Sequence, residues 1–372
     1  MIYFDNSATS LIKPTEVKDA VKYALNNFTA NPGRSGHDLS NFVAEKIFNT
    51  RENVKRFFGA ENYDVIFTKN CSEALNLAIF GTLKNGDHVI TTCYEHNSVL
   101  RPLEKLKSCG VDVEILDCDL LNFHQEMLRH IKQNTKMIIA THCSNVTGEM
   151  SNIFELGKLC KQHNLILLVD GAQSSGHVKI DLEKMGVTMF AFSGHKGLLS
   201  MTGVGGLIVE KQTKLSPILF GGTGTESEKL NQPTDTIEGF EVGTIPTIPI
   251  VSLDAGISFL SKNFSKITEK EQKLSNFLYQ NLKKLNFLEI YSKQSSLNVF
   301  SFNVKNLDSS FVANILNERY KICVRSGLHC SPLIHKKLKT LNRGAVRVSL
   351  DFNNSFEEIL YLINALKEIS NL

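Results

Sequence analysis

Two short segments of this sequence carry residue types whose spacing could do chemistry. Lys196 lies in Phe192-Ser193-Gly194-His195-Lys196-Gly197. A lysine in a tight, glycine-flanked turn can be held away from bulk water. That lowers its pKa and frees the amine to form an imine with a carbonyl. Roughly two dozen residues earlier, Asp170 ends the apolar run Leu168-Val169 and is followed by Gly171-Ala172-Gln173. An acid at the carboxyl end of a buried parallel strand faces the crevice where open α/β sheets bind ligands. It could pair there with the protonated ring nitrogen of a heterocycle, or it could simply cap a turn. A third segment, Phe67-Thr68-Lys69-Asn70-Cys71-Ser72-Glu73, sits where a strand-like run passes into a helical pattern. The free N–H groups of a helix start and the Ser72 hydroxyl suit a phosphate dianion. The plainer reading is a serine N-cap.

An imine-forming amine, an acid for a ring nitrogen and a phosphate cradle together describe a site for pyridoxal 5′-phosphate, with Lys196 as its Schiff-base lysine. Ser193 and His195, beside that lysine, could donate to the phosphate. His96, in Tyr94-Glu95-His96-Asn97-Ser98, could stack on the ring and shuttle protons, or be structural. Asn145 follows another strand-like run; it could take a substrate carboxylate or the ring's phenolic oxygen, or only shape a turn. Arg347 lies among apolar neighbours in Val346-Arg347-Val348-Ser349, and a buried arginine needs an anion. An amino-acid α-carboxylate would satisfy it bidentately, and so would an internal ion pair. Cys330 closes Arg325-Ser326-Gly327-Leu328-His329-Cys330, a strand running into a glycine-containing loop. It reads as an exposed thiol whose thiolate Arg325, His329 and His335 could favour.

These residues need a scaffold, and the hydrophobic pattern supplies one. Apolar runs at residues 65–68, 88–92, 111–116, 137–142, 165–170, 189–193 and 204–209 alternate with amphipathic stretches such as 72–83 and 154–163. This βαβ alternation predicts an α/β domain with a mostly parallel seven-stranded sheet, buried on both faces by helices. From about residue 257 the pattern changes to a long helix over 263–285, short strands over 298–304 and 321–325, and a last helix over 355–369. The expected organisation is a large domain of residues 15–256 and a small α+β domain of residues 1–14 and 257–372. Residues 220–243 form a long Gly-, Thr- and Glu-rich loop, and such loops tend to be functional.

Composition narrows the classes. The 372 residues carry a net charge of +3 with dispersed Lys and Arg, so neither nucleic acid nor a membrane surface is an expected partner. No apolar run is long enough to span a bilayer, and no secretory signal is expected at the first residues. None of the 8 cysteines forms a Cys-x-x-Cys pair; no metal site is expected, and reduced thiols point to the cytoplasm.

Taken together, Asp170-x-x-Gln173, Ser193-Gly194-His195-Lys196, the Arg325–Cys330 run and Val346-Arg347-Val348-Ser349 resemble the class V aminotransferase family of fold-type I pyridoxal-phosphate enzymes. Within it they resemble the group II cysteine desulfurase and selenocysteine lyase branch, over nearly the whole chain. The resemblance implies a desulfurase that converts L-cysteine to L-alanine and leaves the sulfur as a persulfide on Cys330. Selenocysteine lyase, with L-selenocysteine as substrate, or another class V aminotransferase or β-lyase activity are the alternatives. It implies Lys196 as the cofactor lysine and α-proton base, with Asp170 on the ring nitrogen and Gln173 on the phenolic oxygen. His96 stacks on the ring, while Cys71, Ser72, Ser193 and His195 hold the phosphate. Asn145 and Arg347 take the substrate carboxylate, and Arg34 and His37 line the entrance. It further implies a homodimer in which Gly243 and Thr244 reach the partner's phosphate. A sulfur-acceptor protein is implied too, with sulfur transfer toward uses such as iron–sulfur cluster assembly. Leu328 and Ser331 depart from the branch, which frequently has His and Ala there.

Overall fold

The computed structural model describes residues 1–32 and 35–372. Its strands are β1 (Ile2–Tyr3), β2 (Tyr63–Thr68), β3 (His88–Thr92), β4 (Asp112–Leu116), β5 (Thr135–Thr141), β6 (Ile166–Asp170), β7 (Met189–Ser193), β8 (Gly205–Glu210), β9 (Leu288–Ile290), β10 (Val299–Val304), β11 (Ile322–Cys323), β12 (Arg325–Gly327) and β13 (Ala345–Ser349). Seven of them form one sheet in the order β2-β8-β7-β6-β5-β3-β4. Only β8 runs against the others, pairing antiparallel with both β2 and β7. All seven apolar runs in the sequence are these strands.

Alternation explains why the strands read as continuous apolar runs. Along β7, Phe190 and Phe192 pack into the core on one face of the sheet, while Met189 and Ala191 pack into the core on the other. Both faces are covered, so the strand is apolar up to its last residue, Ser193. The covering helices include Cys71–Thr82 and Asn97–Lys107 on one side and Asp38–Phe57 and Ile153–Gln162 on the other.

Chain order reverses between β3 and β5, and there the sheet opens. The β3–β5 ladder ends at Ile90 and Ile138, although both strands continue. Side chains then take over from the ladder. The Thr91 hydroxyl donates to Ile139 O (3.0 Å), and Glu95 Oε1 accepts from Thr141 N (2.9 Å). This split is the topological switch point at which α/β sheets bind ligands.

The second core gathers around a four-stranded antiparallel sheet, β12-β13-β10-β9, with the helices Ser309–Tyr320 and Phe356–Ile369. Phe4, near the amino terminus, packs into it, and β1 pairs with β11. The expected strand over 321–325 is two short strands, β11 and β12, which pair in different sheets. The long helix starts earlier than its sequence pattern indicates. It runs unbroken over Thr247–Leu282, burying Ile250–Ile267 side chains in the first core and Leu274, Leu278 and Leu282 in the second.

Candidate active site

Lys196 sits just past the end of β7, in a turn held from behind by the amino-terminal segment. The His195 carbonyl is met by Ser10 N (3.1 Å), Thr9 Oγ1 (3.2 Å), Ser10 Oγ (3.1 Å) and Lys13 Nζ (3.0 Å). Ser10 Oγ also reaches Lys196 O (3.1 Å). A side chain at Gly197 would overlap Ser175 O and the His177 ring, so only glycine lets this turn close. The Lys196 amine points into a hollow lined by Cys71, Ser72, His96, Asn145, Asp170 and Gln173, with Thr141, Cys143 and Ser98 among the remaining walls. Burial lowers its pKa; Asp170 opposes the shift, while Arg347 and Arg325 add to it. A lysine so placed keeps a share of neutral, nucleophilic amine.

Asp170, buried at the end of β6, accepts from Ala172 N (2.9 Å) and from the Cys71 thiol (3.6 Å). Burial drives the Cys71 pKa well up, so the thiol stays protonated and donates. Gln173 donates to Ser7 O (3.1 Å), which leaves its other amide hydrogen for a ligand. Across the hollow, the helix Cys71–Thr82 begins. Its cap is Asn70, whose side chain accepts from Glu73 N, so the N-cap reading of Ser72 does not hold. The N–H groups of Cys71 and Ser72 have no acceptor among the described residues. Gly205 packs against the Asn70–Cys71 peptide, where a Cβ would stand 2.6 Å from Asn70 C and 2.8 Å from Cys71 N.

His96 accepts from Ser98 N at Nδ1 (3.0 Å) and so carries its hydrogen on Nε2; burial lowers its pKa and keeps it neutral. It is both a cap of the helix Asn97–Lys107 and a wall of the hollow. Its neighbour Glu95 was not singled out by sequence. Glu95 is completely buried, accepts from Thr92 Oγ1 (2.8 Å) and Thr141 N at Oε1, and leaves Oε2 without a partner among the described residues. Burial pushes its pKa up to about 8. His195 bonds Thr9 Oγ1 through Nδ1 (3.1 Å), and its pKa falls to about 4 through burial and the charges of Lys196 and Lys13. Ser193, buried at the end of β7, and His195 flank the lysine but are not walls of the hollow.

Arg347 on β13 is buried and paired with Asp5 (Nη2 to Oδ1, 2.6 Å), and its Nη1 donates to Asn145 O (3.2 Å). Its Nε has no partner among the described residues. The internal ion pair is therefore present, with donors left over. The Asn145 side chain spans to the cysteine loop: Nδ2 donates to His329 O (2.7 Å), and Oδ1 accepts from Ser331 Oγ (2.8 Å). Cys330 lies between those two residues and is exposed. His329 and Cys330 both have left-handed backbones, φ 50° and 60°, and Ser331 N closes the turn on Leu328 O (2.9 Å). Two such residues in succession have the φ signature of a type I′ turn, which normally falls to Asn and Gly. Each non-glycine residue there costs roughly 1 kcal/mol or more. Asn97 N, next to His96, donates to Cys330 O (2.7 Å). Of the three cations expected near the thiol, only Arg325 is one; its Nη2 lies 3.8 Å from Sγ. His329 is driven well below its ordinary pKa by burial, and His335 falls to about 4 for the same reason, so both are neutral.

A model of the class-V aminotransferases matches residues 2–362. The chain belongs to the class-V aminotransferase family. It is 36% identical to a probable cysteine desulfurase of Pyrococcus abyssi, covering 99% of this chain and 94% of that one. A second, from Methanothermobacter thermautotrophicus, is 32% identical over 100% and 95%. Among solved structures it is similar to an apo cysteine desulfurase from Thermococcus onnurineus, with a TM-score of 0.91 and 34% identity, over 100% of this chain and 94% of that one. A cysteine desulfurase from Escherichia coli shares the fold, with a TM-score of 0.86 at 23% identity.

The cofactor of this class-V chain is pyridoxal 5′-phosphate, and its hollow fits that group. The lysine amine has a lowered pKa and no hydrogen-bond partner among the described residues; a buried carboxyl faces it; two unused helix-start N–H groups stand opposite. Other expected residues lie elsewhere. His37 is exposed and caps the helix Asp38–Phe57, accepting from Ser40 N (3.1 Å). Arg34 is outside the described residues. Gly243 lines a cleft with Asn31, Pro32 and Phe48, and Thr244 one with Phe67, Thr68 and Lys69. Neither touches the hollow of its own chain. Their segment is tied to the sheet by Glu241, which accepts bidentately from Arg51 (2.7 and 2.8 Å) and from Phe67 N (2.6 Å).

Proposed function

We propose that this chain is a cysteine desulfurase, converting L-cysteine to L-alanine and receiving the sulfur on Cys330 as a persulfide. The observation that carries the reading is one side chain: Asn145 is a wall of the Lys196 hollow and also holds both neighbours of Cys330. Amine and thiol thereby serve one substrate.

Asp170 and Gln173 would hold the cofactor's ring nitrogen and phenolic oxygen. Cys71 N, Ser72, Ser193 and His195 would hold its phosphate, and His96 would cover its face. When bound, the cofactor supplies a carbonyl for the substrate amine and an electron sink for its α-carbon. The chain's residues do the rest. Arg347, with the donors left after Asp5 and Asn145 O are served, and the Asn145 amide orient the α-carboxylate. Lys196 would take the α-proton and return one to the product. Its depressed pKa suits both directions. The Cys330 thiolate, with Arg325 beside it, attacks the substrate's sulfur; the carbon–sulfur bond breaks and a sulfur–sulfur bond forms. Cysteine and the enzyme thiol thus give alanine and the enzyme persulfide.

The exposed position of Cys330 supports onward transfer to an acceptor protein, for uses such as iron–sulfur cluster assembly. Phe48, an exposed apolar wall of the Gly243 cleft, supports a homodimer in which Gly243 and Thr244 face the partner's phosphate. No described helix is long and apolar enough to cross a membrane, and all eight cysteines are free, as a cytoplasmic protein requires. The large and small domains are taken as residues 15–256 and residues 1–14 with 257–372.

Mass spectrometry after incubation with L-cysteine tests the reading. Alanine release with one added sulfur on Cys330 is expected. Keto-acid release with an unmodified Cys330 would overturn it, and kcat/KM for cysteine against selenocysteine decides between the two substrates.

A further inference from the structure

Ser331 stands where the related branch frequently carries alanine, and its hydroxyl has a specific partner. Ser331 is wholly buried, and its Oγ donates to Asn145 Oδ1 (2.8 Å). That bond settles which way the Asn145 amide faces: Oδ1 toward Ser331, Nδ2 toward His329 O (2.7 Å). The two bonds bracket Cys330. The chain on either side of the loop is fixed independently. On the carboxyl side, Ile334 on the helix Pro332–Lys337 packs with Val146, Tyr94 and Cys93. On the amino side, β12 is paired with β13. The turn between them, with its two left-handed residues, is closed by Ser331 N on Leu328 O and anchored by His329 Nε2 on Ala345 O (3.1 Å), and its His329 and Cys330 carbonyls are tied across the hollow by Asn145 Nδ2 and Asn97 N.

We propose that Ser331 is a positioning residue that couples the substrate's carboxylate to the nucleophile: through Asn145 it clamps the Cys330 turn until a carboxylate claims the Asn145 amide. The inference rests on the desulfurase reading for the identity of that carboxylate. An amide has two N–H groups and one oxygen. A carboxylate approaching from the Arg347 side competes with His329 O for Nδ2, because Ser331 Oγ holds Oδ1 and keeps the amide from turning to serve both. Once Nδ2 leaves His329 O, the strained turn has lost one of its ties and relaxes toward ordinary φ values. The thiol then moves at the moment its substrate is in place. With alanine at 331, Asn145 Oδ1 has no donor, the amide is free to rotate, and the clamp is open from the start.

The test is the rate of Cys330 alkylation by iodoacetamide in the cofactor-loaded protein, followed by mass spectrometry. It is run with and without saturating L-alanine, which has the carboxylate and lacks the sulfur. Cys109, also exposed, serves as the internal reference. In the wild type, L-alanine accelerates Cys330 labelling about fivefold, the factor one net hydrogen bond is worth. In S331A labelling is already fast and L-alanine adds nothing. S331T, which keeps the hydroxyl, restores the slow rate, and S331A lowers KM for cysteine while kcat stays within about twofold, since the clamp opposes binding and not chemistry. Equal labelling of wild type and S331A without L-alanine, or equal acceleration of both by it, overturns the clamp. If wild type releases no alanine from cysteine while S331A still frees Cys330, the desulfurase reading falls and the clamp stands.

Discussion

The molecule holds two nucleophiles in two tight turns, and it builds the turns in opposite ways. The Lys196 turn follows a central strand of the large sheet and is gripped from behind. Thr9, Ser10 and Lys13 converge on the His195 carbonyl, and Gly197 lets the backbone pack against Ser175 and His177. The Cys330 turn follows an edge strand of the small sheet, exposes its thiol and keeps two non-glycine residues in left-handed conformations. The difference fits the chemistry proposed for each. An amine that must be neutral and aimed needs desolvation and fixity. A thiol with the proposed task of accepting sulfur inside and surrendering it outside needs reach, and strain held by a few hydrogen bonds is a way to keep a turn poised.

Replacing Lys196 with alanine breaks the comparison at its stronger end. Alanine release from cysteine should fall by at least about 10³-fold, since the residue's proposed roles are to hold the cofactor and move the proton. Cys330 alkylation in the same variant should keep its wild-type rate. If the thiol also loses its reactivity, the two turns are one structural unit. Cys330→Ser should remove the sulfur adduct and lower sulfur release by about 10²-fold or more, while the absorbance of the bound cofactor stays in place.

Glu95 sharpens the comparison by showing how the sheet is opened for the fixed site. Its pKa stands at about 8 against an ordinary 4.5, because burial, with Asp170 nearby, outweighs the bonds from Thr141, Thr92 and Thr91. A raised carboxyl pKa means that the folded chain holds a proton which the unfolded chain has lost. Stability from this group is therefore full below about pH 4.5 and falls as the pH rises through about 8. The loss at pH 8 is on the order of 4 kcal/mol. Glu95→Gln, which keeps the acceptor toward Thr92 and Thr141, should flatten that fall in thermal unfolding across the same window. A slope equal to wild type would mean that Glu95 is ionised in the fold.

The sequence made some of this readable and hid the rest for a physical reason. All seven strands of the large sheet were legible because burial on two faces keeps their interiors mostly apolar, as over Met189–Phe192 in β7. Lys196, Asp170 and Cys71 were legible because each lies at the end of a strand or within a few residues of it. The hidden contacts join chain segments far apart in sequence. Nothing in Thr9, Ser10 or Lys13 announces a carbonyl more than 180 residues away. Asp5 cannot be matched to Arg347, nor Ser331 to Asn145, before the fold places them. Charge was misread where burial decides it. His329 and His335 look cationic beside Cys330 in sequence, and burial makes both neutral. The helix over Thr247–Leu282 was read short because its first half is apolar on several sides, inside the first core, and lacks an amphipathic stripe.

The smallest effects compare the turns through one glycine each. At Gly197 the backbone is ordinary and space is the constraint, since a Cβ would overlap Ser175 O and crowd the His177 ring. At Gly327, which leads into the Cys330 turn, there is nothing within 4 Å of a Cβ, and the constraint is φ +99°. Gly197→Ala should cost about 1–3 kcal/mol of stability and displace Lys196, lowering cofactor affinity, because overpacked interiors yield only by moving backbone. Gly327→Ala should cost about 1 kcal/mol with cofactor affinity unchanged, because a left-handed residue with open space around it strains only itself. Thermal unfolding and cofactor titration on both variants measure the contrast. Equal losses at the two glycines would mean that the Cys330 turn is packed as tightly as the lysine turn, and that strain, rather than room to move, is all that distinguishes it.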